Sequence, residues 1–329
     1  DNRQRVDISK ASLRSFFNQA AASNDIPSNQ IRDIFFASNG IVWFATEGGL
    51  GKYDPKISNF VSFLGEDMQL TTSGIRALCK DHRGYIWLSN NVGDLFCVAE
   101  NDGKKVKIKF EEENPDLRIS FLFPYGKQLL VGTWYGLFRF DPVSFKSEFI
   151  SIPHPSLDIQ PNIRSIKQGA DGLLWLSTLH GIISLDPQTE KYQYYAPELE
   201  PPYFIPDQNI NDLILGDDGI IWAVAEDSGL IKLHFRDEQT MDTEVFLPVP
   251  ENKASLINRN FRSIVRDEQY LWLGGVSGLF RFDLQHQSFT RYAEEYGLPS
   301  SYQDLLAIDK DGYIWGGTNV GISCFDPKK

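Results

Sequence analysis

The sequence repeats itself. The stretch "NGIVWFATEGGLGKYDPK" (Asn39–Lys56) has a near copy, "DGYIWGGTNVGISCFDPK", at Asp311–Lys328. Related versions lie between them: "RGYIWLSNNVGDLF" from Arg83, "KQLLVGTWYGLFRFDP" from Lys127, "DGLLWLSTLHGIISLDP" from Asp171, "DGIIWAVAEDSGLIKL" from Asp218 and "QYLWLGGVSGLFRFD" from Gln269. Aligned on one position the copies read Trp43, Trp87, Leu130, Trp175, Trp222, Trp272 and Trp315, a spacing of 43 to 50 residues. Six of the chain's seven tryptophans fall there, so the register of the repeat is secure. A unit of this length cannot bury its apolar face alone; it must stack against copies of itself.

Each unit has the same internal order. A short apolar strand ("IRDIFF" from Ile31, "IRALCK" from Ile75, "IRSIKQ" from Ile163) is followed in most copies by an Asp/Asn-Gly turn, a strong hairpin signal. The Trp strand, a tight turn into Gly-Leu and a third strand ending in "YDP", "FDP" or "LDP" come next, and a more polar fourth strand closes the unit. Four short antiparallel strands per repeat predict an all-β fold, a seven-bladed β-propeller in one domain over 1–329. The blades fall at about 29–63, 73–110, 117–150, 161–196, 208–248, 260–293 and 301–327. The seventh copy ends after its third strand. The segment "LRSFFNQ" from Leu13 is expected to supply the missing outer strand (12–18) and close the ring. A capping helix over 12–22 is the alternative for that segment.

Composition narrows the partners. A net charge of −12 and a pI near 4.9 oppose nucleic acid and anionic lipid surfaces, and membrane contact is expected only through other parts of a longer protein. Cys79, Cys97 and Cys324 are too few and too scattered for a disulfide framework and read as small buried residues. No Gly-x-Ser-x-Gly, phosphate-loop or His-Glu-x-x-His pattern occurs, so no catalytic residue, metal or cofactor is assigned. The Asp-rich turns at Asp217 and Asp309 lack the length and closing Glu of a calcium loop.

The pattern "IPSNQIRDIFFASNGIVWFATEGGLGKYDP" resembles the two-component regulator propeller repeat, and all seven copies fit it. The resemblance implies the extracytoplasmic (periplasmic) sensor region of an inner-membrane signalling protein, a hybrid histidine kinase or a diguanylate cyclase. It further implies a small-molecule ligand, an oligosaccharide or an acidic compound. A non-catalytic interaction propeller that forms a homodimer is the runner-up, and a propeller lyase comes third.

Function in such a ring is expected where non-repeating residues occupy repeating positions. The turn after the Trp strand is one; by analogy with the family it lies at the channel mouth. It holds Glu47, the aromatic pair Trp134–Tyr135, His180 and Asp227. The pair could stack on a sugar ring or lie under a neighbouring loop. The second residue of the first strand is another, reading Arg32, Arg76, Ser120, Arg164, Asn211, Arg262 and Asp304. Its four arginines suit carboxylate, phosphate or sugar hydroxyls, or else pair with acidic neighbours between blades. The long Pro-rich loop "APELEPPYFIPDQN" brings Tyr203 and Phe204 as a further contact or as a lid.

Overall fold

The computed structural model describes residues 14–16, 26–57, 59–64, 74–99, 105–108, 117–237, 240–248, 256–294 and 298–328. Its strands form seven four-stranded antiparallel sheets, six of them hydrogen-bonded in sequence order from an inner to an outer strand. These are the blades of the predicted propeller. The inner strands are Ile31–Phe36, Ile75–Lys80, Ile119–Tyr125, Ile163–Gln168, Ile210–Leu215, Phe261–Arg266 and Gln303–Ile308.

The seventh blade takes its outer strand from the start of the chain. Arg14–Phe16 runs antiparallel to Ile322–Phe325, with Arg14 opposite Cys324 and Phe16 opposite Ile322. Phe16 then stacks on Trp315 at 6.2 Å and meets Tyr53 of the first blade at 5.1 Å, so closure joins two blades as well as two strands. Residues 14–16 are strand, not helix; the remainder of the segment predicted at 12–18 lies outside the described residues.

The Trp strand is covered on both faces by neighbouring blades, which is why it reads as a continuous apolar run rather than an alternating one. Val42–Thr46 and Ile314–Thr318 are buried at every position. Four of the tryptophans pack forward onto a ring of the next blade: Trp87 on Phe140 at 5.2 Å, Trp175 on Phe235 at 5.2 Å, Trp222 on Phe282 at 5.5 Å and Trp272 on Phe325 at 5.4 Å. Burying roughly 150–250 Å² of aromatic surface contributes about 4–6 kcal/mol of gross transfer energy at such a junction.

Three indoles are also held by a carboxylate in the preceding turn, Trp87 Nε1 to Asp81 Oδ2 (3.0 Å), Trp272 to Asp267 (2.9 Å) and Trp315 to Asp309 (2.9 Å). The other oxygen of Asp309 accepts the Asp311 and Tyr313 amides. Both carboxylate oxygens of Asp309 are therefore spent on the hairpin and the indole.

The outer strands carry the polar pattern of a surface. In the fifth blade the outer strand, Thr240–Phe246, alternates between exposed and half-buried residues over most of its length.

Candidate functional site

Every inner strand carries an irregularity of register at the same place. Pairing with the Trp strand skips from Ile31 to Asp33, Ile75 to Ala77, Ile119 to Phe121, Ile163 to Ser165, Ile210 to Asp212, Phe261 to Ser263 and Gln303 to Leu305. The skipped residues are the predicted polar ring: Arg32, Arg76, Ser120, Arg164, Asn211, Arg262 and Asp304. A bulge leaves one residue unpaired and re-aims its side chain. All seven are half-buried, whereas the apolar residue before them is fully buried in the first six blades.

The turn after the Trp strand lies on the same face. Its first amide donates to the carbonyl two residues ahead of the ring position: Glu47 to Gln30 (3.1 Å), Asn91 to Gly74 (3.2 Å), Trp134 to Arg118 (3.1 Å), Leu179 to Asn162 (3.2 Å) and Glu226 to Asn209 (3.1 Å). The turn itself is built by the repeat. Thr46, Thr133, Thr178 and Thr318 each donate a hydroxyl to the carbonyl three residues on and accept an amide from within the turn. The intervening side chains are thus left to vary.

The ring is divided in its bonding. Arg32 lies 2.6 Å from Glu47 and 3.4 Å from Asp304, and Glu47 also accepts the Asn91 amide at 3.0 Å. This network ties the seventh, first and second blades. Ser120 donates to the Ile163 carbonyl, and Asn211 donates to the Phe261 carbonyl at 2.7 Å, each reaching the following blade. Arg76, Arg164 and Arg262, in blades two, four and six, have no ion pair or hydrogen bond among the described residues, and Nε of both Arg164 and Arg262 is buried without an acceptor. Burial, and then the fields of Arg76 and Arg262, lower the pKa of Arg164 against the pull of Glu226. Burial and the field of Arg32 act on Arg76 in the same direction, against the pull of Glu47 and Asp304, with Arg118 adding to the lowering. A guanidinium stays protonated regardless, so the three charges persist.

The remaining predicted residues separate. The guanidinium of Arg118 covers the Trp134 ring at 4.4 Å, and the Trp134 Nε1 is buried without an acceptor, while Tyr135 is 46% exposed. His180 is half-buried with its ring 5.8 Å from that of His154. His154 Nδ1 accepts the Ser156 and Leu157 amides, so the proton sits on Nε2, 2.8 Å from Glu198. Burial and then His154 push the His180 pKa down, which keeps this imidazole neutral at neutral pH. Asp227 is exposed, its amide donated to Asp207 at 3.0 Å. Tyr203 packs into the core between blades four and five, 6.0 Å from Tyr195, so it is a core contact; Phe204 is 41% exposed.

Sequence reasoning missed a second polar tier, two residues ahead of the ring: Gln30, Arg118, Asn162, Asn209 and Asn260. The Oδ1 atoms of Asn162 and Asn260 are buried without a donor. Its signal was present as polar residues just before an apolar strand, at a fixed offset in five of the seven copies.

Three clefts of about 210, 450 and 400 Å³ open on the opposite face, between blades seven and one, six and seven, and four and five. They are lined by repeat positions such as Trp315, Tyr270, Trp175 and the Asp turns. Shared residues at three junctions mark them as a by-product of blades fanning apart. The mouth is where the residues differ from blade to blade.

Fold and mouth together define a single propeller ring built for its edges to be constant and its centre to vary. Residues 25–48, within the first repeat, match the family described as "Two component regulator propeller". Among curated proteins, Histidine kinase P4 of Formosa agariphila is 22% identical over 203 residues, covering 56% of this chain and 14% of that protein. The chain therefore corresponds to a small part of that relative. The extracellular domain of a protein described as the hybrid two-component system BT3049 of B. thetaiotaomicron superposes with a TM-score of 0.76 at 20% identity, over 96% of this chain and 41% of that one. Virginiamycin B lyase of Staphylococcus aureus, crystallised with quinupristin, gives 0.69 at 13% identity over 95% and 98% of the two chains. At such identities the structural likenesses establish the fold alone.

Proposed function

We propose that this ring is the ligand-sensing region of a membrane-bound two-component signalling protein, held outside the cytoplasm, and that its ligand is taken at the channel mouth. The similarity to a histidine kinase and to an extracellular two-component domain supports the setting. The observation that carries the reading is the mouth itself. Arginines without counter-ions among the described residues, a half-buried Trp134 and an exposed Tyr135 meet on one face, at positions the fold leaves free. The ring binds and does not turn over its ligand; output belongs to other domains, reached through a shift in an interdomain arrangement. Thermal-shift screening of the chain against oligosaccharides and acidic metabolites tests this. A stabilising compound whose effect is reduced by Tyr135→Ala supports the reading, and no shift with any compound opposes it.

A second reading, self-association, is favoured by Val61, Val106, Phe149 and Tyr192, exposed apolar residues on four outer strands. Light scattering across a concentration series that finds a stable dimer, with no compound shifting the melting temperature, selects it.

A further inference from the structure

Resting on the mouth as the ligand site, we propose that Arg76, Arg164 and Arg262 form an anion receptor inside the ring. It takes a small molecule carrying two or more carboxylate or phosphate groups.

The first argument is contrast within the ring. The same bulge position deals with a polar side chain in three ways, and two of them are closed. Arg32 is neutralised by Glu47 and Asp304. Ser120 and Asn211 are neutral and donate to the next blade. Arg76, Arg164 and Arg262 alone keep a full charge with no counter-ion among the described residues. A half-buried cation left unpaired opposes folding, and a guanidinium Nε enclosed without an acceptor adds to that penalty. The chain thus has the means of discharging this position and uses them elsewhere in the ring.

The second argument is placement. The three arginines stand on alternate blades, two, four and six, and the arc between six and two is occupied by the neutralised Arg32 network. Their fields overlap, since Arg76 and Arg262 both act on Arg164. Like charges held in mutual range at a polar mouth attract an anion from three sides. Each guanidinium presents a planar fork matched to a carboxylate or phosphate. Three separated forks select a ligand with several anionic groups over one with a single charge. Arg118, stacked on Trp134 at 4.4 Å, carries the positive field out to the rim and also acts on Arg76. All this sits in a chain of net charge −12, so the mouth attracts what the rest of the surface repels.

Citrate and pyrophosphate, titrated calorimetrically into the chain at low and at physiological ionic strength, are the probes. Low-millimolar concentrations keep general salting effects out of the reading. We expect saturable binding that weakens as salt is added. Arg164→Gln and Arg262→Gln should each lower affinity by about 10-fold or more, while Arg236→Gln, at the end of the third strand of the fifth blade, changes nothing. Without anion, both ring variants should melt at or above the temperature of the parent, because an uncompensated charge has gone. No heat with either probe, affinity unchanged in both ring variants, or a clear fall in both melting temperatures overturns the proposal; the last assigns the arginines a structural role. If a neutral oligosaccharide binds at Tyr135 while both anions fail, the anion receptor falls and the sensor reading stands.

Discussion

At the scale of single residues, the channel wall contains a carboxyl group whose titration the fold has moved. Asp33 follows the bulge in the first blade, and its two oxygens accept the Ile34 amide at 2.8 Å and the Leu78 amide of the second blade at 2.7 Å. Burial raises its pKa to about 7, against the two amides and Lys167, which pull it down. The residue keeps some exposed surface, but its carboxylate is enclosed by the wall, and the interior environment governs. The unfolded group titrates near 3.8. The protonated form is therefore favoured by folding, so its stabilising contribution is complete below pH 4 and is lost as pH rises to about 7. Asp33→Asn should flatten this dependence, removing about 1–3 kcal/mol of the change in unfolding free energy between pH 4.5 and 8. Denaturant titrations of both proteins at the two pH values check it; parallel curves contradict it. Nothing in "IRDIFF" distinguishes Asp33 from an exposed strand residue. Its shift comes from burial in the assembled wall, only partly offset by the amide of Leu78, 45 positions away.

At the scale of the element, the turn after the Trp strand was legible and the bulge was not. Thr and Gly recur in the repeat because the turn needs a hydroxyl to bridge it and a backbone of positive φ to leave it. Gly181 has φ of 105°, and a Cβ there would sit 2.1 Å from the Tyr195 carbonyl oxygen. Gly172, in the preceding hairpin, has φ of 87° with nothing within 4 Å. Gly172→Ala should cost about 1 kcal/mol from backbone strain alone, and Gly181→Ala at least 2 kcal/mol more, because the outer strand must move. Equal losses in thermal unfolding would show that the steric contact is relieved locally. The bulge escapes sequence reading because it is a property of pairing. Arg32 and Arg76 sit in nearly identical strings, "IRDI" and "IRAL", and only the register against the Trp strand reveals that these residues are unpaired.

Closure belongs to the whole molecule. Three residues, Arg14–Phe16, complete the seventh sheet, and Phe16 bridges Trp315 and Tyr53. Phe16→Ala should lower stability by about 1–3 kcal/mol, less than a fully buried Phe because Phe16 is half-covered. Truncation through Phe16 should do more, since Ile322–Phe325 then becomes an open edge ready to pair with another chain. Concentration-dependent association of the truncated protein in light scattering is the expected result; a truncated chain that stays monomeric with unchanged melting would place the stabilising contacts elsewhere.

From the sequence alone come the ring, its seven blades, its closing strand and the two positions where function is free to vary. Those follow from periodicity, and the contacts that enforce it are repeated between each unit and the next. Which of the four look-alike arginines carries an unanswered charge was decided only by the tertiary structure. Arg32 is neutralised by Glu47 of its own blade and by Asp304, 272 residues away, which closure sets beside it. Arg164 has neither among the described residues: Leu179 stands at the turn position of its blade and Ser120 at the ring position of the blade before it. Charge compensation acts through space across a blade junction, whereas a repeat records only what every junction shares.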